Sequence, residues 1–201
     1  MTTPASSDAA CHDLLVRLAG RLPDRLLWRL REWLATGGQA VVAAMLPRAL
    51  LRHRVGLTDA ERELLEAAVG DRGASRRLLD AILTVGSPDE PGAAFGPAPA
   101  EFDRAALSLL AVARSDEGCV ELRQALRADG RRAQRVVLVR TAGERPWALS
   151  GTLARLLRAH GDPAPCVEVL PAAGDPSAYH RAALDASSVL WRRPEAARAG
   201  G

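Results

Sequence analysis

Residues 136–170 read VVLVRTAGERPWALSGTLARLLRAHGDPAPCVEVL, and the fold turns on them. Val136, Val137, Leu138 and Val139 form an apolar run with no polar alternation, which predicts a strand buried on both faces. Pro146 suits a helix first turn because its missing N–H costs nothing there. From it, Leu149, Leu153, Leu156 and Leu157 share one side of a helix that runs to His160. Cys166 to Leu170 is then a second strand. Strand, helix, strand over this length implies a βαβ unit with parallel strands and a right-handed crossover. Two strands alone are marginal, so helices must cover them or a partner must extend the sheet.

Outward from this unit the chain reads as helical. Asp103 to Arg114 and Glu117 to Ala128 are expected as helices before the first strand, and Pro176 to Trp191 as a final helix. Upstream, helices are expected over Asp8 to Arg21, from Pro23 through Leu26, Leu30 and Leu34, and from Val41 onward with a break or kink at Pro47. Thr58 and Glu61 form a capping box that opens a helix burying Leu64, Leu65, Ala68 and Val69. A further helix spans Ala74 to Val85. Between the halves, GSPDEPGAAFGPAPA over 86–100 has no periodicity and reads as a linker or long loop. The expected organisation is a helical module over 1–85, the linker over 86–100, a helical and βαβ module over 101–193, and a flexible tail over 194–201. The fold class is therefore mainly α with a small α/β part.

Composition closes off several chemistries. All 27 basic residues are arginine, asparagine is absent, and isoleucine occurs once. Residues with AT-rich codons are depleted, as expected of a high-GC genome such as an actinobacterium's. Without lysine there is no P-loop lysine, Schiff-base enzyme or Ser-Lys dyad. Without asparagine there is no Cys-His-Asn triad and no Asn to read adenine. The net charge is only +3, with acids interspersed among the arginines, so a mixed solvated surface is expected in place of a basic face. Cys11, Cys119 and Cys166 make no CxxC pair, so neither a zinc knuckle nor any other metal site is expected, and reduced thiols fit a cytoplasmic protein. The N-terminus lacks the charge and apolar core of a signal peptide, and no stretch is long enough for a membrane span. No cofactor motif appears.

Leu57-Thr58-x-x-Glu61-Arg62-x-Leu64-Leu65 resembles the opening of the helix-turn-helix in LuxR-type regulators and in sigma-factor region 4. That resemblance covers nine residues and implies a DNA-binding regulator built on 58–85, with Arg72, Arg76 and Arg77 meeting phosphates and Arg52 and Arg54 on the same face. The following segment offers almost no polar side chain to read a base.

Open α/β sheets place ligands at the carboxyl ends of their strands. There, Arg140 and Arg145 are candidate anion clamps before a helix N-terminus, and His180 is the candidate acid or base. That constellation implies a small enzyme. Trp28, off the main Leu stripe of its helix, and Trp191, near the chain end, are candidate anchors for a protein partner. The leading expectation is a non-catalytic interaction or regulatory module with a protein partner; the DNA-binding and enzymatic readings are the alternatives.

Overall fold

A computed structural model describes residues 7–70, 76–88, 92–98, 102–129 and 132–194. Four helices come first: α1 (Ser7–Arg17), α2 (Asp24–Ala35), α3 (Gln39–His53) and α4 (Asp59–Val69). The short α5 (Arg76–Asp80) and strand β1 (Phe95–Pro97) lead to α6 (Arg104–Ser115). Then follow β2 (Cys119–Asp129), β3 (Arg132–Thr141), α7 (Pro146–Ala159), β4 (Cys166–Pro171), α8 (Ala178–Ala186) and β5 (Ser188–Arg192). The protein is thus a mixed α/β structure rich in helix, with a five-stranded sheet.

The βαβ unit is present: β3 and β4 pair in parallel with Val136 opposite Cys166, and α7 makes the crossover. The expected two-stranded element is nevertheless corrected to five strands. The largest difference is β2. Its residues, VELRQALRA, are strong helix formers, yet they pair antiparallel with β3 from Cys119 to Asp129. On its other side β2 pairs with both β1 and β5. A strand paired along both sides gains ladder bonds and burial that outweigh a propensity difference of a few tenths of a kcal/mol per residue. The expected last helix is likewise cut at Ala186. Beyond it Ser188-Val189-Leu190-Trp191 is a β-branched and aromatic run that joins the sheet edge. Within the 86–100 segment, Phe95 to Pro97 pairs with Arg127 to Ala125, and the Phe95 ring meets Tyr179 edge-on.

Strand β3 lies inside the sheet as its apolar run predicts. Val137 and Val139 pack toward α6 and α7, whereas Val136 and Leu138 join Ala183 of α8 on the opposite face. The N-terminal helices build a separate leucine cluster, to which Trp147 of α7 and Tyr179 of α8 also belong. Thr58 Oγ1 accepts from the Glu61 amide at 3.3 Å, and Glu61 accepts from the Thr58 amide at 3.0 Å, which completes the capping box. Helix α3 runs through Pro47 without a break. Helix α5 ends at Asp80, short of the expected Val85, because Arg62 donates to the carbonyls of Leu79 and Ile82 and Leu57 bridges to Thr84; the expected start at Ala74 lies outside the described residues.

Helices α2 and α7 cross at Gly151, which has no space for a side chain. A Cβ there would stand 2.3 Å from the Ala35 Cβ. Gly151→Ala adds helix propensity worth about 1 kcal/mol but forces the helices apart. We expect urea unfolding to show a net loss of about 1–3 kcal/mol. The double variant A35G/G151A, which removes the opposing methyl, should recover most of it.

Candidate functional site

Among the described residues strand β4 is an edge, paired with β3 alone. Its carbonyls on the open side need donors, because buried unpaired backbone groups are costly. Two side chains supply them. His12 of α1 donates from Nε2 to the Val169 carbonyl at 3.0 Å, and Arg31 of α2 donates to the Val167 carbonyl at 2.7 Å. Arg31 falls on the buried stripe of α2 beside Leu27, Leu30 and Leu34. It also donates to the Leu15 carbonyl at 3.1 Å and reaches both carboxylate oxygens of Glu168, at 2.8 and 2.7 Å.

Glu168 has no exposed surface. Burial alone would raise its pKa, but the Arg31 charge and the hydrogen bonds from His180 and Arg31 outweigh it and hold the carboxyl at about 2. It is therefore ionised and can only accept. His180, 1% exposed, must donate to it from Nε2, at 3.0 Å. When the imidazole carries a single proton, that donor fixes Nδ1 as its acceptor, and the Ser177 hydroxyl lies 2.8 Å from it. Ser177 is exposed and caps α8, accepting from the His180 amide at 3.4 Å. A chain of contacts thus runs Arg31, Glu168, His180, Ser177, from the protein interior to solvent.

The chain ends in a cleft of about 490 Å³ at the carboxyl ends of β3 and β4. Asp13 and Arg17 of α1, Arg140 of β3, Pro171 of β4, and Ser177 and His180 line it. Arg140 is anchored by a hydrogen bond to the Ala172 carbonyl. Asp175 adds a second acid, paired at 3.6 Å with the exposed Arg181. Among the described residues no group of three His, Cys, Asp or Glu is placed to hold a metal ion, and no helix is long and apolar enough to cross a membrane.

Two of the residues expected at the strand ends, Arg140 and His180, meet in this cleft. Arg145 does not line it: it is exposed at the start of α7. Trp28 is half-buried beside the second apolar cluster, with the Arg158 guanidinium 4.7 Å above its ring. Trp191 is also half-buried against that cluster, with Arg193 5.5 Å from its ring. Arg52, Arg54, Arg76 and Arg77 are exposed, and Arg76 pairs with Asp80 at 3.5 Å. Arg72 lies outside the described residues. Sequence reasoning missed Glu168, Arg31, His12 and Ser177. Their signals were a charge inside an apolar strand, an arginine and a histidine on apolar helix faces, and a serine three residues before His180.

No family model, no curated protein and no solved structure matches the chain. Fold and site together define it as a helix-rich mixed α/β protein with a cleft at the carboxyl edge of its parallel strands.

Removing one partner of a buried ion pair leaves the other charge uncompensated, at a cost of about 3–5 kcal/mol. Arg31→Met should lose stability on that scale in urea unfolding, and R31M/E168L should regain much of it. Acid acts through two groups. Burial first, then the Arg31 charge, pushes His12 from 6.5 to about 4. Its folded pKa is depressed, so its contribution is full above 6.5 and fades as pH falls from 6.5 to 4. Glu168, lowered from 4.5 to about 2, loses its contribution only below 4.5. His12→Gln keeps a donor for Val169 and should flatten the upper window alone. A wild-type stability that is level between pH 6.5 and 4 would contradict the assignment.

Proposed function

We propose that the protein binds a small polar molecule in the cleft between α1 and α8 and acts on it with His180 as a general base. The observation that carries this reading is the ionised, fully buried Glu168, which fixes one nitrogen of His180 while the other addresses a hydroxyl at the cleft. Evolved sites commonly hold a base in one tautomer in this way, with a carboxylate behind it and solvent or substrate in front. The location supports the same reading, since open α/β sheets gather ligands beyond the carboxyl ends of their strands.

The lining suggests the class of ligand. Arg17 and Arg140 offer guanidinium donors, while Asp13 and Asp175 offer carboxylates. Both signs in one small cleft favour a molecule with an anionic group and a hydrogen-bond donor, such as a hydroxy or amino acid, over a polyanion. Burial is the first cause that raises the Asp13 pKa, as expected for a carboxylate partly withdrawn from water in such a cleft. The protein-interaction reading has less behind it, because Trp28 and Trp191 each lean on the protein's own apolar cluster and on a neighbouring arginine.

Amide chemical shifts followed during titration with glycolate, glycine, acetate and inorganic phosphate test the proposal. At least one of the first two should shift the amides of Asp13, Arg17 and Ser177 saturably. Arg140→Met should weaken that binding by about tenfold or more, as expected for the loss of one charge-assisted hydrogen bond. Shifts absent from these amides for all four probes, or unchanged affinity in R140M, would remove the proposal.

A further inference from the structure

We infer that Ser177 is a nucleophile and that the cleft takes esters or other activated acyl derivatives of small carboxylic acids; this rests on the cleft being the ligand site. Three features converge on one hydroxyl. Ser177 is exposed at the cleft, whereas its base is buried. The His180 Nδ1 lies 2.8 Å from Oγ, within reach for proton transfer. Behind the imidazole, Glu168 accepts from Nε2 at 3.0 Å and is itself held at both oxygens by Arg31. Hydroxyl, imidazole and carboxylate thus stand in series, as in the groups that activate a serine on unrelated folds, but with the ring nitrogens exchanged: Nδ1 faces the hydroxyl and Nε2 the carboxylate.

Charge developing on the substrate also has donors nearby. Ser177 precedes α8, and the first-turn amides of Ala178 and Tyr179 have no acceptor within their own helix. Such amides stabilise an oxyanion formed next to the capping residue. In the first step Oγ attacks the acyl carbon, and its proton passes to His180 Nδ1. The tetrahedral intermediate then collapses, the carbon–leaving-group bond breaks, and the leaving alkoxide takes the proton from Nδ1. An acyl ester on Ser177 results. Water attacks that ester in the second step, giving its proton to Nδ1. The acid departs and Oγ recovers the proton. No electron is gained or lost, and water is the only co-reactant.

Glu168 and Arg31 are positioning residues in this scheme, since neither touches the substrate. The role also accounts for why the hydroxyl that caps α8 donates to an imidazole with a buried counter-ion, when capping alone needs only its acceptor lone pair.

The test uses the full chain with a fluorophosphonate probe, followed by peptide mapping, and with p-nitrophenyl acetate. A single phosphonyl adduct on Ser177 and release of p-nitrophenolate are expected. Ser177→Asn retains a good helix cap, so its melting temperature should stay near that of the wild type while adduct and release disappear. His180→Gln should slow labelling by about 10²-fold, the usual worth of a positioned base. No adduct on Ser177 in the folded protein, labelling spread equally over other serines, or wild-type p-nitrophenolate release by S177N would each overturn the inference. If Ser177 stays unlabelled while glycolate or glycine still shifts the Asp13 and Arg17 amides, the nucleophile is lost and the ligand site stands.

Discussion

The buried pair of Arg31 and Glu168 is the interaction on which the rest of the structure depends. It joins four elements at one point: α2 through Arg31, α1 through the Leu15 carbonyl, β4 through Glu168 and the Val167 carbonyl, and α8 through His180. Any one of these contacts is an ordinary hydrogen bond. Together they solve a problem that apolar packing cannot, because an edge strand buried under helices has backbone acceptors with no strand to serve them. A row of leucines would have filled the space and left Val167 and Val169 without donors. Arg31 and His12 are in effect the missing neighbour of β4, contributed by side chains. The guanidinium suits this role because it donates in several directions at once, whereas an ammonium would act as a compact point charge. In a chain whose every basic residue is arginine, that donor was the one at hand.

What could be read from the sequence follows from where each element's stabilisation resides. Strand β3 was legible because four consecutive apolar residues need burial on both faces, and they have it. The helix from Thr58 was legible because a capping box is local chemistry, complete within four residues. Strand β2 was not. Its Leu, Glu, Gln and Ala favour a helix, and what overrides them is pairing with partners up to 71 residues away, as between Glu121 and Arg192. The same limit hid β1, where Phe95 docks on Tyr179 from within a Gly/Pro-rich segment. Short edge strands of this kind borrow their stability from the strand they meet.

The site was half legible for a related reason. The carboxyl edge of a parallel pair can be located from the strands alone, and this brought Arg140 and His180 into view. Glu168, which orients His180, is itself held by Arg31 from a helix 137 residues away, and nothing local in the sequence announces the match. Two anomalies did point there. Glu168 interrupts an otherwise apolar strand, and Arg31 occupies a buried position on a leucine stripe. Each alone would be a costly burial, and together they cancel. A charge that violates its element's pattern is best read as one half of a pair whose other half violates another pattern.

Scaffold and site coincide for a physical reason. The carboxylate must be buried and ionised to hold Arg31 against β4, and a buried ionised carboxylate is also what fixes an imidazole tautomer. Arginine does not titrate at ordinary pH, so the pair keeps its charge and Glu168 keeps accepting from His180 well below the usual carboxylate range. The imidazole is therefore oriented by a group whose state is set by the fold and not by the solvent. A histidine whose partner titrated alongside it would lose its tautomer in the range where a base has to work. The same constraint limits variation: any change that loosens α2 from β4 disturbs the proton acceptor in the cleft as well as the core. Stability and chemistry are for that reason tied together at Glu168: a single substitution there loses both, and only the paired exchange R31M/E168L, which repacks the core but leaves His180 Nε2 without its acceptor, separates them.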